Sequence, residues 1–499
     1  MTQTVDHVAL LPAYLAAGTA VLVLLADLLL ARRGATVLVA ATGAAATAVA
    51  AVLAARSGPR QTFCVPDACS YLANGRSALV ATLFALLTLG VLALSVPLLR
   101  SASVPAGEYC FLLACSMTGG VVLAAAGDLI TLIVALEALT LPLFVLVGLR
   151  RSVASAEAAL TFFVVSVVAT AVTLLGAALL YAMTGTVHLR SLVAVFADGT
   201  ADLLKTPLTS VAAALVVLGL AFKVAAVPFH AWAPATYDGA PIPIAAYLST
   251  ASKLGGVVAL LAVIEFALPP SVTGPVLAGL AVATMTVGNL VALRQRRMVR
   301  LLAWSSVAQA GYIIAPLGAL ALGQSRTATV MTTAVAAVLA YTVFFVVLEF
   351  AAFAAVAALR PAQADGGPIV AYRGAARRHP WIGAAFALAL VGLAGIPPGL
   401  AGLFAKVVVV RSLLAGSAGW LAVVVALNAV VGLAYYVRVI AKLYAPARGV
   451  VAAAPEGAEV PAQPPARVAW PLAAALTAAT VVAVVIGFAP QLILDVAAL

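Results

Sequence analysis

The sequence predicts an all-α polytopic membrane protein with about fourteen transmembrane helices. Of its 499 residues, 65% are hydrophobic and 9% are charged, whereas soluble domains carry roughly 25% charged residues. Apolar runs of about 18 or more residues recur along the chain, and a run of that length predicts a membrane-spanning helix. The short alternating strands typical of a membrane β-barrel are not evident in the sequence. The sequence therefore predicts that the chain is embedded in a lipid bilayer, which is its first predicted partner.

Fourteen apolar segments can be delimited along the chain, and no part of the sequence indicates a separate soluble domain. In order, the segments are 8–30, 35–55, 78–99, 109–126, 128–149, 157–183, 208–228, 241–265, 273–294, 300–322, 328–358, 380–405, 417–444 and 468–494. The longest polar connections lie at about 184–207, 360–379 and 445–467. The last of these is rich in Ala, Pro and Glu, which predicts a loose loop.

Basic residues in the loops predict the orientation of the chain. With fourteen spans, one set of alternating loops holds sixteen Lys and Arg residues, and the opposite set holds seven. Loops rich in Lys and Arg stay in the cytoplasm, which places both termini on the outer side of a bacterial inner membrane. The net charge of +11 is only weakly clustered, which argues against a nucleic-acid partner.

Two spans are interrupted by proline. The seventh ends in VPFHAWAP, which contains Pro228 and His230, and the twelfth contains GLAGIPPGLAGLFAK, with Pro397 and Pro398 in its middle. Proline removes a backbone donor, and free carbonyl groups at membrane depth are tolerated only inside protein or beside water. One broken span in each half of a chain is typical of an inverted-repeat transporter.

The spacing of the broken spans predicts one repeat over spans four to eight and another over spans nine to thirteen. The predicted regions are 1–107 for three N-terminal spans, 108–266 for the first repeat, 267–446 for the second repeat, and 447–499 for a loop and the last span.

Ionisable residues inside the predicted spans are candidates for proton transfer, because a charge at the bilayer centre costs about 2.5–3.5 kcal/mol on insertion scales. The candidates are Glu137, Lys223, Lys253, Glu349 and Lys406. Desolvation disfavours the charged form of a buried group, so a buried lysine beside a glutamate can exchange a proton when that pairing changes. A row of such groups, bridged by water at the proline breaks, would form a proton path.

Structural roles are the alternative for these residues. Four of the candidates can form static buried ion pairs, although such pairs rarely gain net stability. Glu349 can pair with an arginine or hydrogen-bond between helices, and His230 can bond a helix end instead of relaying protons. Asp27 and Arg438 lie near span ends, from which their side chains can reach the interface.

The sequence predicts no metal or nucleotide site on this chain. Its four cysteines, Cys64 and Cys69 in CVPDAC and Cys110 and Cys115 in span four, include no CxxC pair. No glycine-rich phosphate-binding motif lies in a βαβ context. Cys64 and Cys69 fall in a predicted outer loop, where a disulfide and two free thiols are both compatible with the sequence.

Five motifs together resemble the antiporter-like membrane subunits of respiratory complex I, the NADH–quinone oxidoreductase. They are GDLITLIVALEALTLPLFVLVGLRR, ASAEAALTFFVVS, GLAFKVAAVPFHAWAPATYDGAPIPIAAYLSTASK, VRLLAWSSVAQAGY and GLAGIPPGLAGLFAK. The similarity covers roughly residues 108 to 445, and the subunit N branch of the family is the most similar. It implies two inverted five-helix repeats with broken helices seven and twelve. It also implies that the proton relay consists of Glu137, Lys223, Lys253 and Lys406.

The resemblance also implies a setting in a larger complex. Quinone reduction elsewhere in the complex would drive proton translocation through this chain, which would work with other membrane and peripheral subunits. NADH, FMN, iron–sulfur clusters and quinone are expected in the complex, and no cofactor is expected on this chain. Subunit M usually has a glutamate at the position of Lys406, and subunit L continues beyond the fourteenth span, so the subunit N branch is preferred.

Three residues depart from the family pattern. Thr161 stands where a lysine is usual, Gln309 where a histidine is frequent, and Trp304 where the family has a tyrosine. Three alternatives therefore remain open: a subunit of an Mrp-type Na⁺/H⁺ antiporter, a hydrogenase-linked membrane subunit, and a scaffold that no longer conducts protons.

Overall fold

The fold was obtained as a computed structural model, which describes residues 5–66, 68–101, 103–197, 206–266, 268, 270–321, 328–446 and 468–497. The described α-helices, in chain order, are α1 (Leu11–Leu30), α2 (Arg33–Arg56), α3 (Gly75–Arg100), α4 (Ala106–Leu123), α5 (Leu129–Gly148), α6 (Val153–Thr184), α7 (Leu189–Ala197), α8 (Pro207–Lys223), α9 (Trp232–Gly239), α10 (Ile242–Tyr247), α11 (Lys253–Phe266), α12 (Pro270–Ala292), α13 (Met298–Gly318), α14 (Ala328–Leu359), α15 (Ala375–Arg378), α16 (Pro380–Ala394), α17 (Leu400–Ala415), α18 (Gly419–Tyr444), α19 (Trp470–Phe488) and α20 (Gln491–Ala497). A π-helical turn, Leu248–Ser252, joins α10 to α11.

The predicted fold class, an all-α polytopic membrane protein, is confirmed. Within the described ranges, twelve helices are long and apolar enough to cross a membrane, counting α10 and α11 as one. Each coincides with a predicted span. The other two predicted spans, 208–228 and 380–405, are the ones with proline interruptions, and they correspond to the shorter helices α8, α16 and α17; α17 continues to Ala415, beyond the predicted end of its span. The count of fourteen spans and the inverted repeats stay predictions. Most of the predicted loose loop, residues 447–467, lies outside the described residues.

Short polar side chains define where several helices begin. Asn74, Asp128 and Ser152 precede α3, α5 and α6, and each accepts a hydrogen bond from the backbone N–H three residues further on. These bonds satisfy donors that the first turn of a helix leaves free. The starts of these helices are therefore encoded locally, outside the apolar run.

A β-hairpin near the N-terminus was not predicted. Strands β1 (Arg60–Val65) and β2 (Ala68–Ala73) pair antiparallel, with Cys64 opposite Cys69, and a disulfide joins these two cysteines. The hairpin is attached to the turn between α4 and α5, where the Leu72 N–H donates to the Ala125 carbonyl at 2.7 Å. The sequence was compatible with a disulfide or with two free thiols at Cys64 and Cys69, and the structure contains the disulfide.

The centre of the bundle is formed by α13 and the bent helix α10–α11, whose residues are almost all buried. Helix α13 packs on α12 and α14, and α14 packs on α16 and α17. Helices α1, α2, α6 and α19 lie at the periphery and expose long apolar faces. The ionisable candidates are therefore distributed from the edge of the bundle at α5 to its second break at α16–α17.

Candidate proton path

The first helix break begins at Lys223, where α8 ends. The connection to α9 contains Pro228 and His230. The Phe222 carbonyl accepts a hydrogen bond from the indole N–H of Trp232 at 3.1 Å, and the Val227 N–H donates to Thr284 Oγ1 at 3.0 Å. These bonds satisfy backbone groups inside protein, as a break at membrane depth requires.

Lys223 lies at the centre of a polar cluster between α5, α6 and α8. Its Nζ donates to Glu137 Oε1 at 2.8 Å, to Thr140 Oγ1 at 3.1 Å and to Ser166 Oγ at 3.0 Å. An ammonium has three N–H donors, so these contacts use all of them. The residue is only 4% exposed, and its charge is therefore balanced by one carboxylate and two hydroxyl dipoles.

Glu137 forms the outer end of this cluster. The oxygen that accepts from Lys223 also accepts from Thr170 Oγ1 at 2.6 Å, and 20% of the Glu137 side chain remains exposed. Its neighbours on α5, Val134, Ala138 and Leu141, are exposed as well. The carboxylate therefore connects the buried lysine to the lateral surface of the chain.

Lys253 and Glu349 lie in the middle of the bundle and are fully buried. Lys253 follows the π-helical turn, and its Nζ donates to the carbonyl of Ser306 in α13 and lies 5.8 Å from the ring of Phe345. Glu349, in α14, is close enough to Lys253 for electrostatic interaction. Within the described part of the chain, neither of its oxygens makes a hydrogen bond. Among the described residues, Glu349 therefore has neither an arginine partner nor an interhelical hydrogen bond.

Lys406 lies at the second helix break. Helix α16 ends at Ala394, Gly395 follows with φ 78°, and α17 begins at Leu400, so Pro397 and Pro398 lie in the connection. Lys406 Nζ donates to the Leu393 carbonyl at 3.1 Å and to the Ala394 carbonyl. A cation is stabilised at the C-terminal end of a helix, and here the broken end of α16 provides that position.

Gln309 connects Lys406 to a cluster of hydroxyl groups. Its Nε2 donates to the same Leu393 carbonyl at 3.0 Å and to the Tyr436 hydroxyl at 3.1 Å, while its Oε1 accepts from the Tyr341 hydroxyl at 2.6 Å. The Tyr436 hydroxyl in turn lies 2.5 Å from Ser305 Oγ. An amide and three hydroxyls therefore occupy the place where the family often has a histidine.

His230 and Thr161 lie apart from these clusters. His230 is half-buried, with Nδ1 3.3 Å from the Pro228 carbonyl and its ring 5.0 Å from that of Trp304. Thr161 is half-buried on α6. Among the described residues, neither hydrogen-bonds to Glu137, Lys223, Lys253 or Lys406.

Several polar residues of these clusters were missed by the sequence analysis. Thr140, Ser166 and Thr170 surround Lys223 and Glu137, and Ser305, Tyr341 and Tyr436 surround Gln309. One signal was present, because Ser166, Thr170 and Thr173 follow one another at intervals of four and three residues, which places them on one face of α6. The tyrosines carried no such pattern.

An ion-pair network outside the spans links α9 to the second half of the chain. Arg297, which precedes α13, donates to Asp238 at 2.8 Å and to Asp365 at 2.7 Å. The two carboxylates raise the pKa of Arg297, and the hydrogen bond from Arg297 is the main cause that lowers the pKa of Asp365. Arg360 lies 3.6 Å from Asp365. This network holds the end of the first broken helix against the second half.

The fold and these clusters define a helical membrane protein that holds ionisable groups at two helix breaks. A family model described as NADH:quinone oxidoreductase/Mrp antiporter, TM, matches residues 126–432. NADH-quinone oxidoreductase subunit N of Salinispora tropica is 69% identical over 100% of this chain and 99% of that protein. Subunit N 2 of Streptomyces griseus is 42% identical over 99% and 93%. The chain belongs to the NADH:quinone oxidoreductase/Mrp antiporter family, which confirms the resemblance inferred from the motifs.

Solved structures show the same fold. A chain of respiratory complex I from Thermus thermophilus with bound aureothin has a TM-score of 0.76 at 30% identity, covering 98% of this chain and 99% of that chain. A chain of the Mrp complex from Dietzia sp. has a TM-score of 0.83 at 23% identity, covering 98% and 96%. The second likeness shows the fold alone.

Proposed function

We propose that this chain is the proton-translocating subunit N of a complex I-type NADH–quinone oxidoreductase in a bacterial cell membrane. The observation that carries the proposal is the 69% identity to a subunit N over the full length of both chains. Other membrane and peripheral subunits hold NADH, FMN, the iron–sulfur clusters and quinone, and quinone reduction there drives proton movement here. Both termini lie on the outer side of the membrane.

The first half of the path works through the Glu137–Lys223 pair. While the carboxylate is in place, the buried ammonium is stable, because it has a charged partner and two hydroxyl acceptors. Withdrawing or neutralising one partner of a buried pair costs about 3–5 kcal/mol. The ammonium avoids this cost by releasing its proton, and Ser166 and Thr140 are the hydroxyls in contact with it.

The second half of the path runs through Lys253 and Lys406. Lys253 and Glu349 form a second buried pair of opposite sign, held apart from direct hydrogen bonding, and Lys406 ends the path at the broken end of α16. Moving one charge against 100 mV costs about 2.3 kcal/mol, so a pump needs a site that changes access between the two sides. The connection with Pro397 and Pro398 supplies that change beside Lys406, and the hydroxyls around Gln309 replace the family's histidine.

The proposal extends to the organisation of the chain. The first inverted five-helix repeat covers residues 108–266 and the second covers 267–446, each with one broken helix. The repeats follow three N-terminal spans in residues 1–107 and precede a loop and a last span in residues 447–499.

An Mrp-type antiporter subunit is the second candidate, because the family model that matches residues 126–432 describes both NADH:quinone oxidoreductases and Mrp antiporters. The two candidates differ in their driving force. A tag on this chain purifies its native complex, which is reconstituted into vesicles. The proposed function predicts NADH-driven quinone reduction with proton uptake, and loss of proton uptake when the quinone site is inhibited.

Proton movement driven by a Na⁺ gradient, without NADH oxidation in the purified complex, would contradict the proposed function and support the antiporter. Vesicles from cells that lack this chain provide the control in both assays.

A further inference from the structure

An open apolar groove of about 1010 Å³ lies between α2, α3, α14 and α19. Its volume is at the upper end of the roughly 300–1,000 Å³ typical of small-molecule sites. The wall is almost entirely aliphatic, with Leu38, Leu83, Leu86 and Val482 among its residues. Such a groove on the lateral surface of a membrane protein offers space to an elongated apolar group.

The groove follows the helix axes for at least the depth of one leaflet. Helix α3 lines it from Leu83 to Arg100, and α19 lines it from Trp470 to Val482, which correspond to about 25 Å and about 18 Å of helix at 1.5 Å per residue. Half of a bilayer core is about 15 Å thick. The groove can therefore accommodate acyl chains of one leaflet along their length.

One end of the groove is basic. Arg33 and Arg100 line that end and are exposed, and they are the only charged residues among the described residues that line the groove. Neither forms an ion pair within the described ranges of the chain. Trp470, 74% exposed, lies at the same end, and tryptophan is enriched at the level of lipid headgroups. Basic-loop counting assigns this end to the cytoplasmic side.

We infer that the groove binds one anionic diacyl phospholipid of the cytoplasmic leaflet, with its phosphate at Arg33 and Arg100 and its acyl chains along α3 and α19. Guanidinium groups match phosphate oxygens in charge and geometry. The charge complementarity distinguishes this occupant from a transmembrane helix of another subunit, which would fill the apolar wall and leave both arginines without an anion.

Small residues keep the wall open. Gly90, Ala474 and Ala478 line the groove, and a Cβ on Gly90 would already meet the ring of Phe350. A large side chain at Ala478, which is exposed on α19, would occupy the place assigned to the acyl chains without touching the arginines. The phosphate site at Arg33 and Arg100 and the acyl-chain site at Ala478 can thus be altered by separate substitutions.

The test uses the purified complex in nanodiscs of phosphatidylcholine that contain a phosphatidylglycerol with a photoreactive group in its acyl chain. We expect cross-links to α3 and α19. Unlabelled phosphatidylglycerol should compete about twenty-fivefold better than phosphatidylcholine, since each of the two basic residues contributes about a fivefold preference for an anionic lipid. This competition between the two lipids is measured on the wild-type complex.

Variants then locate the contacts. Arg33→Gln combined with Arg100→Gln should remove the preference for phosphatidylglycerol, and Ala478→Phe should abolish cross-linking to the groove. Arg56→Gln, at the other end of α2, should change neither result. Equal competition by the two lipids, or an unchanged preference in the double variant, would overturn the inference. Absence of cross-links to α3 and α19 in the wild-type complex would also overturn it, because polypeptide would then cover the groove.

Discussion

The three lysines of the candidate path differ in what balances their charge. Lys223 contacts a carboxylate and two hydroxyls, Lys253 contacts a backbone carbonyl and lies near Glu349, and Lys406 contacts two carbonyls at a helix end. A side-chain partner can be removed by a rotamer change, whereas a helix-end partner is removed only when the backbone moves. Proton release at Lys223 should therefore respond to Glu137, and release at Lys406 should respond to the shape of the second break.

At the residue scale, Glu137 and Lys223 should act as one unit. Glu137→Gln and Lys223→Gln should each impair proton transport in assembled complex. The two losses should not add in the double variant, because both remove the same 2.8 Å interaction. Proton uptake by reconstituted vesicles measures the effect. Glu157→Gln, at an exposed position on α6, is the matched control. Additive losses would show that the two residues act at separate points.

The sequence indicated the candidate residues but not the groups that surround them. A lone charge in an apolar run is visible in the sequence because its insertion is costly, and this was sufficient to find Glu137, Lys223, Lys253, Glu349 and Lys406. The hydroxyls that contact Lys223 come from α5 and α6, 83 and 57 residues away along the chain. Contacts at that separation depend on how helices pack, which a single sequence does not encode in a local pattern.

At the scale of elements, the two breaks are built differently. At the first, α8 ends five residues before Pro228, and the indole of Trp232 satisfies a freed carbonyl. At the second, Gly395 turns the chain in the left-handed region and Lys406 itself satisfies the carbonyls. Proline marked both breaks in the sequence but did not fix where the helix ends, because the end depends on distant partners such as Thr284.

Gly395→Ala tests the second break. Alanine at φ 78° costs about 1–2 kcal/mol, and its Cβ would contact the side chain of Lys406. We expect a lower thermal unfolding temperature and reduced proton uptake. Gly279→Ala is the control, because it lies within α12 with no heavy atom close to the added Cβ, and it should stabilise by about 0.5–1 kcal/mol. Equal effects of the two substitutions would contradict this role of Gly395.

The ion pair of Asp365 with Arg297 should make stability depend on pH. The folded-state pKa of Asp365 is lowered, so its contribution is present above the unfolded value of about 3.9. That contribution disappears as the pH falls through the lower folded-state pKa. Asp365→Asn should therefore lower the unfolding temperature at pH 7, and this effect should shrink as the pH falls below about 3.9. The contribution is at most about 1 kcal/mol, because the side chain is 33% exposed.

Asp495→Asn is the control for this measurement, since Asp495 is exposed and has no ion pair within the described ranges. A difference between wild type and Asp365→Asn that persists unchanged at pH 3 would show that another interaction is lost.

At the scale of the whole molecule, the apolar runs predicted the membrane class and most helices because a bilayer requires about 20 apolar residues per span. The β-hairpin escaped this reasoning. Its strands have six residues each, and their buried and exposed positions do not alternate cleanly, so period-two patterning gave no signal. The orientation of the bundle follows from loop charges and stays a prediction.

Thiol labelling of intact cells tests that orientation, with Cys110 and Cys115 replaced by serine. An impermeant maleimide should label Cys64 and Cys69 from outside only after an impermeant reductant has opened their disulfide. The control is Arg377→Cys, exposed on the short helix α15 in a connection predicted to be cytoplasmic, which should be labelled only after permeabilisation. The reverse pattern would invert the topology.

The central claim is that lysines inside the helix bundle carry the translocated protons, and Lys406→Arg in the reconstituted complex tests it most directly. Arginine preserves the positive charge at the end of α16 but does not release its proton at physiological pH. Native gels check assembly, and Lys442→Arg, near the end of α18, is the matched control. We predict an assembled complex whose NADH-driven proton uptake falls well below that of the wild type and of the control. Proton uptake at the wild-type rate would show that Lys406 is a fixed charge and would contradict the proposed path.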